Sequence, residues 1–172
     1  MVKILVIGSG AREHVIIKSL NKSKKEKEIY CLATNKNPGI SDICKEVKII
    51  DINNAQLIKD YSIKRNINIA IIGPEDPLAH GVADSLWEAE IGVVGPKKNL
   101  AQIETSKSFT RKLLREYKIP GCPKFKTFTN MEGVENFLFL LGENYVVKYD
   151  GLAGGKGVKV AGDHLHSHEE AL

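Results

Sequence analysis

The sequence predicts an α/β protein: a parallel β-sheet flanked by helices, followed by the start of an α+β region. Over residues 1–97, short β-branched and aliphatic runs alternate with segments of helical periodicity, which is typical of a parallel sheet covered on both faces. Consecutive helical segments then fill residues 98–121. Residues 122–172 combine a strand, a helix and a glycine-rich hairpin. We therefore expect an N-terminal α/β domain, a helical connection and part of a second domain.

Composition narrows the class of protein. Apolar residues make up 42% and charged residues 27% of the 172 residues, as in soluble globular domains. No apolar run approaches the length of a membrane-spanning helix, and the N-terminus does not resemble a signal peptide. We therefore expect a cytoplasmic protein with no membrane partner. The odd number of cysteines (Cys31, Cys44 and Cys122) and the lack of CxxC spacing favour buried thiols over disulfides or a zinc site.

Charge points to small anionic ligands. The formal net charge is +4, and the lysine-rich run at 22–27 has no aromatic residues on which bases could stack. We expect no nucleic-acid partner, and the run itself is typical of a solvated helix end.

The chain begins with a predicted strand, turn and helix. Residues 2–8 form an apolar run typical of a buried parallel strand, and residues 11–20 place Val15, Ile16 and Leu20 at helical spacing. The pattern predicts a βα unit with Gly8, Ser9 and Gly10 at the turn.

That turn differs from a dinucleotide-binding loop. Such a loop needs a third glycine where Glu13 stands, so nicotinamide or flavin binding is not expected. The N–H groups of the turn can bind one phosphate, with Arg12 adding a bidentate contact. The alternative is a plain tight turn with Arg12, Glu13 and His14 in solvent.

Two further strands and a helix follow. Residues 29–34 and 47–50 read as strands, separated by a loop at 35–39. Asp51, Asn53 and Asn54 are candidate caps for a helix that carries Leu57, Ile58 and Tyr61.

A proline-rich segment follows the next predicted strand, 69–72. We expect residues 73–78 to form a rigid loop at the strand's carboxyl end, where ligands bind in open α/β sheets. Glu75 and Asp76 are candidates to bind a hydroxyl pair or an amine. The alternative is a helix N-cap, because Asp76 precedes Pro77.

Helices predominate after a predicted helix at 79–90 and a last strand at 91–94. They are expected at 100–104 and 106–117, ending at a Pro-Gly break. Lys107 lies in the first turn of the second of these, where a cation is electrostatically unfavourable. A bound anion would compensate for it.

The glycine-rich segment predicts a phosphate-binding hairpin. A strand at 125–128 and a helix at 131–141 precede two β-branched runs that bracket four glycines, with Lys148 and Lys156 nearby. A Walker loop is excluded, because Asp150 stands at its first glycine position and Gly157 follows Lys156. A β-hairpin lid fits better, and an ordinary glycine-rich hairpin is the alternative.

The last residues predict neither a metal site nor a nucleophile. His164, His166 and His168 alternate, but no carboxylate partner is evident and the spacing is not that of helical ligands. No Ser/His/Asp set or activated cysteine is present. A capping box at 167–170 starts a helix where the sequence stops, so we expect the natural chain to be longer.

Five motifs together resemble one known family. They are residues 8–14 (Gly-Ser-Gly-Ala-Arg-Glu-His), residues 73–78, Gly95-Pro96, the helix start at 106–110 and the glycine-rich segment 148–157. Their order and spacing, over the whole chain, are similar to those of the phosphoribosylamine–glycine ligases, also called glycinamide ribonucleotide synthetases. The glycine-rich loop and the preceding helix lysine resemble the ATP-grasp superfamily in general.

The resemblance implies a pre-ATP-grasp domain followed by the start of an ATP-grasp domain. It implies an ATP-dependent ligation in de novo purine synthesis, in which ATP phosphorylates glycine and the amine of 5-phosphoribosylamine attacks the glycyl phosphate. The partners would be these small molecules, and fusion to other purine-pathway domains stays open.

The resemblance also assigns residues. Lys107 and Lys148 would be catalytic and would hold ATP phosphates. The ATP site would further include Asp150, Gly151, Gly154, Gly155, Lys156 and Gly157. Phosphoribosylamine would bind at Gly8, Ser9, Gly10, Arg12, Glu13, Gly73, Pro74, Glu75 and Pro77. The family's magnesium ligands and adenine contacts would lie beyond Leu172, so we expect the 172 residues alone to be inactive.

The sequence departs from the family at three positions. Ala11 stands where a third glycine is common, and Tyr149 and Gly154 replace small alanines in the lid. Two alternatives stay open: a carboxylase or other carboxylate–amine ligase of the superfamily, against which the turn at 8–14 argues, and a non-catalytic module that binds a sugar phosphate or nucleotide.

Overall fold

The computed structural model describes residues 1–172, which form two compact units, Met1–Gln102 and Ile103–Leu172. The first unit contains a five-stranded parallel sheet in the order β3-β2-β1-β4-β5. Its strands are β1 (Val2–Ile7), β2 (Lys27–Ala33), β3 (Glu46–Ile49), β4 (Ile69–Ile72) and β5 (Gly92–Val94). The predicted fold class is confirmed.

Helices cover both faces of this sheet. They are α1 (Ala11–Asn21), α2 (Pro38–Ser41), α3 (Ala55–Arg65), α4 (Glu75–Ala79), α5 (Val82–Glu88) and α6 (Lys98–Thr105). Because side chains alternate along a strand, β1 serves two cores. Leu5 and Ile7 join a cluster that includes Ile58 of α3, whereas Val6 joins one with Ile17 of α1. All these side chains are fully buried.

The chain leaves the sheet centre in two directions. From β1 it runs outward through β2 and β3, then returns to β4 on the other side of β1. Since α1 and α5 pack on opposite faces, the carboxyl ends of β1 and β4 border a crevice, the place where doubly wound sheets bind ligands.

Some local predictions in this unit were wrong. The segment 35–39 is not all loop, because Asn37 accepts a hydrogen bond from Ile40 N and caps α2 at Pro38. Residues 73–78 are not a rigid loop, because α4 begins at Glu75. The helix expected at 79–90 is broken at Gly81, whose φ of 80° is left-handed. Val15 is 65% exposed, and Ile17 is instead the buried residue of α1.

The second unit contains two helices and a hairpin. These are α7 (Lys107–Glu116), α8 (Val134–Leu141) and the antiparallel pair β6 (Val146–Lys148) and β7 (Val158–Val160). The final turn, Glu169–Ala171, is a 3-10 helix. Its buried core is small, consisting of Leu138, Tyr145 and Leu165.

The strand predicted at 125–128 was wrong. No neighbouring strand pairs with this segment, so its backbone is irregular despite its β-forming residues. Its aromatic rings pack locally, with the Arg115 guanidinium 5.0 Å from the Phe125 ring and Phe128 6.0 Å from Phe137. No helix in either unit has both the length and the apolar character needed to cross a bilayer.

Candidate functional site

Two glycines form the floor of the crevice in the first unit. Gly8 follows β1 and donates its N–H to Leu32 O at 2.8 Å, while Gly73 follows β4 and donates to Ile7 O at 3.0 Å. The φ of Gly8 is 118°, a backbone conformation that side chains rarely allow. The two strand ends are therefore held close together, and neither glycine places a side chain of its own between them.

The carboxylate of Glu13 fills the space that these glycines leave. Glu13 is only 4% exposed, and its Oε2 accepts a hydrogen bond from Gly10 N at 2.7 Å. A Cβ on Gly73 would lie 2.1 Å from Glu13 Oε1, and one on Gly8 would lie 2.8 Å from the Glu13 side chain. The glutamate thus shapes the turn, and both its oxygens face the protein.

One oxygen of this carboxylate has no hydrogen bond. Glu13 Oε1 is buried, and the nearest cation, Arg12 Nε, is 3.5 Å away without hydrogen-bond geometry. A second nitrogen of Arg12 lies 3.8 Å from Glu75 Oε2. Because the Arg12 side chain is 63% exposed, its guanidinium remains available to an anion at the crevice.

The other predicted substrate residues differ in accessibility. Pro74 packs over Gly8, since a Cβ there would lie 2.9 Å from Pro74 Cδ. Pro77, by contrast, is fully buried, so its ring supports α4 and does not face solvent. The N–H groups of Gly8 and Gly10 are both already bonded within the protein. For an anion, this leaves the N–H groups of Ser9 and of the first turn of α1.

Sequence reasoning missed a polar cluster beside Ser9 at the carboxyl end of β2. Ser9 Oγ is 3.1 Å from Thr34 Oγ1 and accepts a hydrogen bond from Asn35 N at 3.3 Å. Asn37 Nδ2 donates to Ser9 O at 3.0 Å. Since Asn37 also caps α2, one side chain joins that helix to the turn. The Asn-Pro pair, a common helix start, was the signal that could have revealed it.

The glycine-rich segment of the second unit is a hairpin, as predicted, and its tip is open. Beyond the β6–β7 pairing, Tyr149 N donates to Gly157 O and Lys156 N to Ala153 O, both at 2.9 Å. At the tip, Gly154 and Gly155 have positive φ, and a Cβ on either would meet no atom within 4 Å. The neck is thus fixed, while the tip leaves space for a ligand beside Lys156.

The hairpin is bound to the start of α7 through Asp150. The Asp150 carboxylate accepts hydrogen bonds from Ser108 N at 3.1 Å, from Ser106 Oγ at 3.2 Å and from Ser108 Oγ. Lys107 Nζ donates to Gly151 O at 2.7 Å. We call these five residues the α7 clasp. The Asp150 carboxylate thus places a negative charge of the chain itself at the start of α7, and the bound anion expected beside Lys107 stays a prediction.

The two predicted catalytic lysines have different surroundings. Lys107 is partly buried and belongs to the clasp, whereas Lys148 is exposed on β6, opposite Val158. For Asp150, partial burial raises the carboxyl pKa. The hydrogen bonds from Ser108, from the backbone N–H of Lys107 and from the Ser106 hydroxyl outweigh that burial and lower the pKa overall. The Asp150 carboxyl group of the clasp is consequently ionised at neutral pH.

The remaining candidates do not form a metal centre. The structure contains no group of three or more histidine, cysteine, aspartate or glutamate side chains that could hold a metal ion. All three cysteines are free. Burial raises the pKa of the Cys31 thiol to about 12, and its Sγ donates to Gly8 O at 3.3 Å.

Family models match both parts of the chain. The model described as phosphoribosylglycinamide synthetase, N domain, matches residues 2–104, and the one described as phosphoribosylglycinamide synthetase, ATP-grasp (A) domain, matches residues 105–172. A relative named phosphoribosylamine–glycine ligase from Methanosarcina barkeri is 47% identical over 163 residues, which is 95% of this chain. The chain spans about 37% of that relative's length.

Solved structures show the same fold at low identity. A phosphoribosylglycinamide synthetase from Anaerococcus prevotii has a TM-score of 0.62 at 16% identity, over 99% of this chain and 40% of its own. The biotin carboxylase domain of the Hydrogenobacter thermophilus 2-oxoglutarate carboxylase, solved with MgADP, ADP and bicarbonate, has a TM-score of 0.73 at 16% identity. That match covers 92% of this chain and 37% of its own.

Proposed function

Because the chain belongs to the phosphoribosylglycinamide synthetase family, we propose that it is part of an ATP-dependent ligase that joins glycine to 5-phosphoribosylamine. The observation that carries this proposal is the glycine-rich hairpin, whose first residues are bound to α7 beside Lys107. Ammonium groups and backbone N–H donors around an open glycine tip suit a polyphosphate.

The proposed reaction has two steps. A carboxylate oxygen of glycine attacks the γ-phosphorus of ATP, and ADP leaves. The amine nitrogen of phosphoribosylamine then attacks the acyl carbon, phosphate leaves and the nitrogen loses a proton, giving glycinamide ribonucleotide. The protein's main task is to align the reactants and neutralise charge. Lys107, Lys148 and Lys156 would neutralise the ATP phosphates, with the N–H groups of residues 151–157 adding donors.

The crevice of the first unit would bind phosphoribosylamine. Its phosphate would lie at the start of α1, where unpaired N–H groups and the Arg12 guanidinium favour an anion. Glu75, 35% exposed in its side chain, is the accessible carboxylate for the sugar hydroxyls or the amine. Glu13, Gly8 and Gly73 would act by shaping the crevice.

Magnesium would assist by neutralising phosphate charge, as is general in phosphoryl transfer. No group of three or more acidic, histidine or cysteine side chains in these 172 residues fits such an ion. As part of the proposal we assign residues 1–97 to substrate binding, 98–121 to a helical connection and 122–172 to part of an ATP-grasp lid subdomain.

The test is ADP formation by the natural-length polypeptide. It would be supplied with magnesium-ATP, glycine and phosphoribosylamine together, and then with each omitted in turn. ADP release that needs both glycine and phosphoribosylamine supports the ligase. Release without phosphoribosylamine would indicate a different ATP-grasp reaction and would reduce the turn at 8–14 to a structural feature.

Lys148→Ala separates the two sites in the same protein. It should abolish turnover while leaving the binding of ribose 5-phosphate, a stable sugar-phosphate probe, unchanged in calorimetry. An equal loss of sugar-phosphate binding would show that the assignment of substrate binding to the first unit is wrong.

A further inference from the structure

We propose that Asp150 is a positioning residue for ATP use: by tying the first residues of the glycine-rich hairpin to the start of α7, it holds the hairpin and Lys107 in a fixed arrangement. This inference rests on the proposed function for its role in catalysis. The contacts that support it lie entirely within the second unit.

Hydrogen-bond donors surround the carboxylate. Ser108 contributes its backbone N–H and its hydroxyl, and Ser106 contributes its hydroxyl at 3.2 Å and 3.3 Å from the two oxygens. The Ser106 hydroxyl also accepts from Phe109 N at 3.1 Å, as an N-cap does. A negative charge at this end of α7 is favoured by the exposed N–H groups of the first turn. The charge on Asp150 is therefore used to join two elements.

Gly151, the residue after Asp150, makes a second contact with α7, in which the loop contributes the acceptor and the helix residue the charged donor. Lys107 Nζ donates to Gly151 O at 2.7 Å, so anion-to-helix and ammonium-to-loop bonds act side by side. Gly151 has a φ of 150°, and a Cβ there would lie 2.8 Å from the Tyr149 ring. Only glycine allows this close turn, which directs the chain from β6 towards α7.

The clasp matters because the hairpin tip is costly to order. Glycines lose more backbone freedom than other residues when they are fixed, and the space beside Gly154 and Gly155 is open, since a Cβ on either would meet no atom within 4 Å. Fixing the chain at Asp150 and Gly151 shortens the free segment. Lys156 then searches a smaller volume for the phosphate, and Lys107 is already oriented towards the loop.

The opposite role would be that of a placeholder, in which the carboxylate occupies the position of an ATP phosphate and is displaced by it. The two roles predict opposite effects of Asp150→Asn. If Asp150 positions the loop, loss of its charge weakens ATP binding; if it competes with phosphate, that loss strengthens ATP binding. The contacts favour positioning, because the carboxylate is covalently next to the loop and has strong local donors.

The experiment compares Asp150→Asn with Asp163→Asn in the natural-length protein. Asp163 is exposed just beyond β7 and has no hydrogen bond or ion pair, so it controls for the loss of one negative charge. Limited trypsin digestion, followed by mass spectrometry, measures cleavage after Lys156. Steady-state kinetics measures the KM values for ATP and for glycine.

We expect Asp150→Asn to raise both the cleavage rate after Lys156 and the KM for ATP roughly tenfold, leaving the KM for glycine unchanged. Asp163→Asn should change neither quantity. Asp150→Glu, which keeps the carboxylate, should bring both the cleavage rate and the KM for ATP part of the way back to the wild-type values. Unchanged cleavage and KM in Asp150→Asn, or tighter ATP binding, would overturn the proposal.

A second variant and the digestion readout cover the cases in which Asp150→Asn or the activity assay fails. If Asp150→Asn fails to fold, Ser108→Ala removes one hydroxyl donor while keeping the carboxylate. It should raise cleavage and the KM for ATP by about threefold, and no change would refute the proposal. If the wild-type protein releases no ADP in response to phosphoribosylamine, the proposed function fails, but the digestion still shows whether Asp150 holds the hairpin.

Discussion

The Glu13 carboxylate lies directly against the Cα of Gly73, so that a β-carbon on Gly73 would come within 2.1 Å of Glu13 Oε1. A residue of α1 thereby fills the gap between the ends of β1 and β4. The same carboxylate accepts from Gly10 N at 2.7 Å, so the turn after β1 and the start of α4 share one support. The contact explains why a glutamate can stand where a dinucleotide-binding loop needs glycine.

Gly73→Ala should therefore destabilise the first unit. The new methyl group collides with a buried side chain that cannot move without breaking its bond to Gly10, and such overpacking costs about 1–3 kcal/mol. Urea denaturation measures the free energy of unfolding. Gly92→Ala is the matched control, since its Cβ would meet Asn68 O at an ordinary 3.5 Å. If the added methyl collides with Glu13, Gly73→Ala should lower the free energy of unfolding by less in a Glu13→Ala background. Losses that simply add in the double variant would contradict this cause.

Arg12→Ala should weaken binding of a sugar phosphate without affecting stability. Its side chain is largely exposed, and its ion pairs at 3.5 Å and 3.8 Å are long, so their loss should change the free energy of unfolding by less than about 0.5 kcal/mol. Loss of a guanidinium contact to phosphate should raise the Kd for ribose 5-phosphate roughly tenfold. Calorimetry checks this, with Lys18→Ala, on the exposed side of α1, as the control. Equal effects of the two substitutions would exclude a specific role for Arg12.

Lys107→Met should weaken nucleotide binding. It keeps much of the aliphatic chain but removes the ammonium group that bonds to Gly151 O. We expect the Kd for ADP to rise roughly tenfold in the natural-length protein, as measured by fluorescence titration with a labelled nucleotide. Lys112→Met removes an equal charge from an exposed position on the same helix and should change the Kd by less than twofold. A similar loss in both variants would mean that only the net charge of α7 matters.

The Asp150 carboxyl should titrate below its ordinary value of 3.8. Because its folded-state pKa is lowered, its contribution to stability is fully present at higher pH and is lost as the pH falls through the lowered pKa. Carbon NMR of the aspartate carboxyl groups measures this midpoint. Ser108→Ala should raise it, since a donor to the ionised form is removed, whereas Ser41→Ala, in the other unit, should not. A midpoint at or above 3.8 would contradict the hydrogen bonding seen here.

Cys31 should resist alkylation in the folded protein. With its pKa raised to about 12 by burial, roughly one thiol in ten thousand is ionised at pH 8, and the side chain is inaccessible as well. Iodoacetamide labelling followed by mass spectrometry should modify Cys31 only after urea is added. Modification at the rate of Cys122, which is partly exposed, would show that the first core opens readily.

The sequence by itself determined the sheet, its helices and the glycine-rich hairpin. Apolar period and turn residues are local properties, and they sufficed for β1, α3 and the β6–β7 pair. It also determined the family, through short motifs whose order is readable without coordinates. Local signals failed where a strand and an irregular segment are equally compatible with the residues. This is the case at residues 125–128, whose β-forming side chains find no partner strand.

Only the tertiary structure decided which polar residues face a ligand and which support the fold. The sequence assigns Glu13, Pro77 and Asp150 to binding sites. In the structure Glu13 and Pro77 are buried, and the Asp150 carboxylate is hydrogen-bonded to the start of α7. Their partners, Gly73 for Glu13 and Ser108 for Asp150, are tens of residues distant in the chain. Such contacts depend on how strands and helices pack, which no local period encodes, because burial and hydrogen bonding are settled only when distant segments meet.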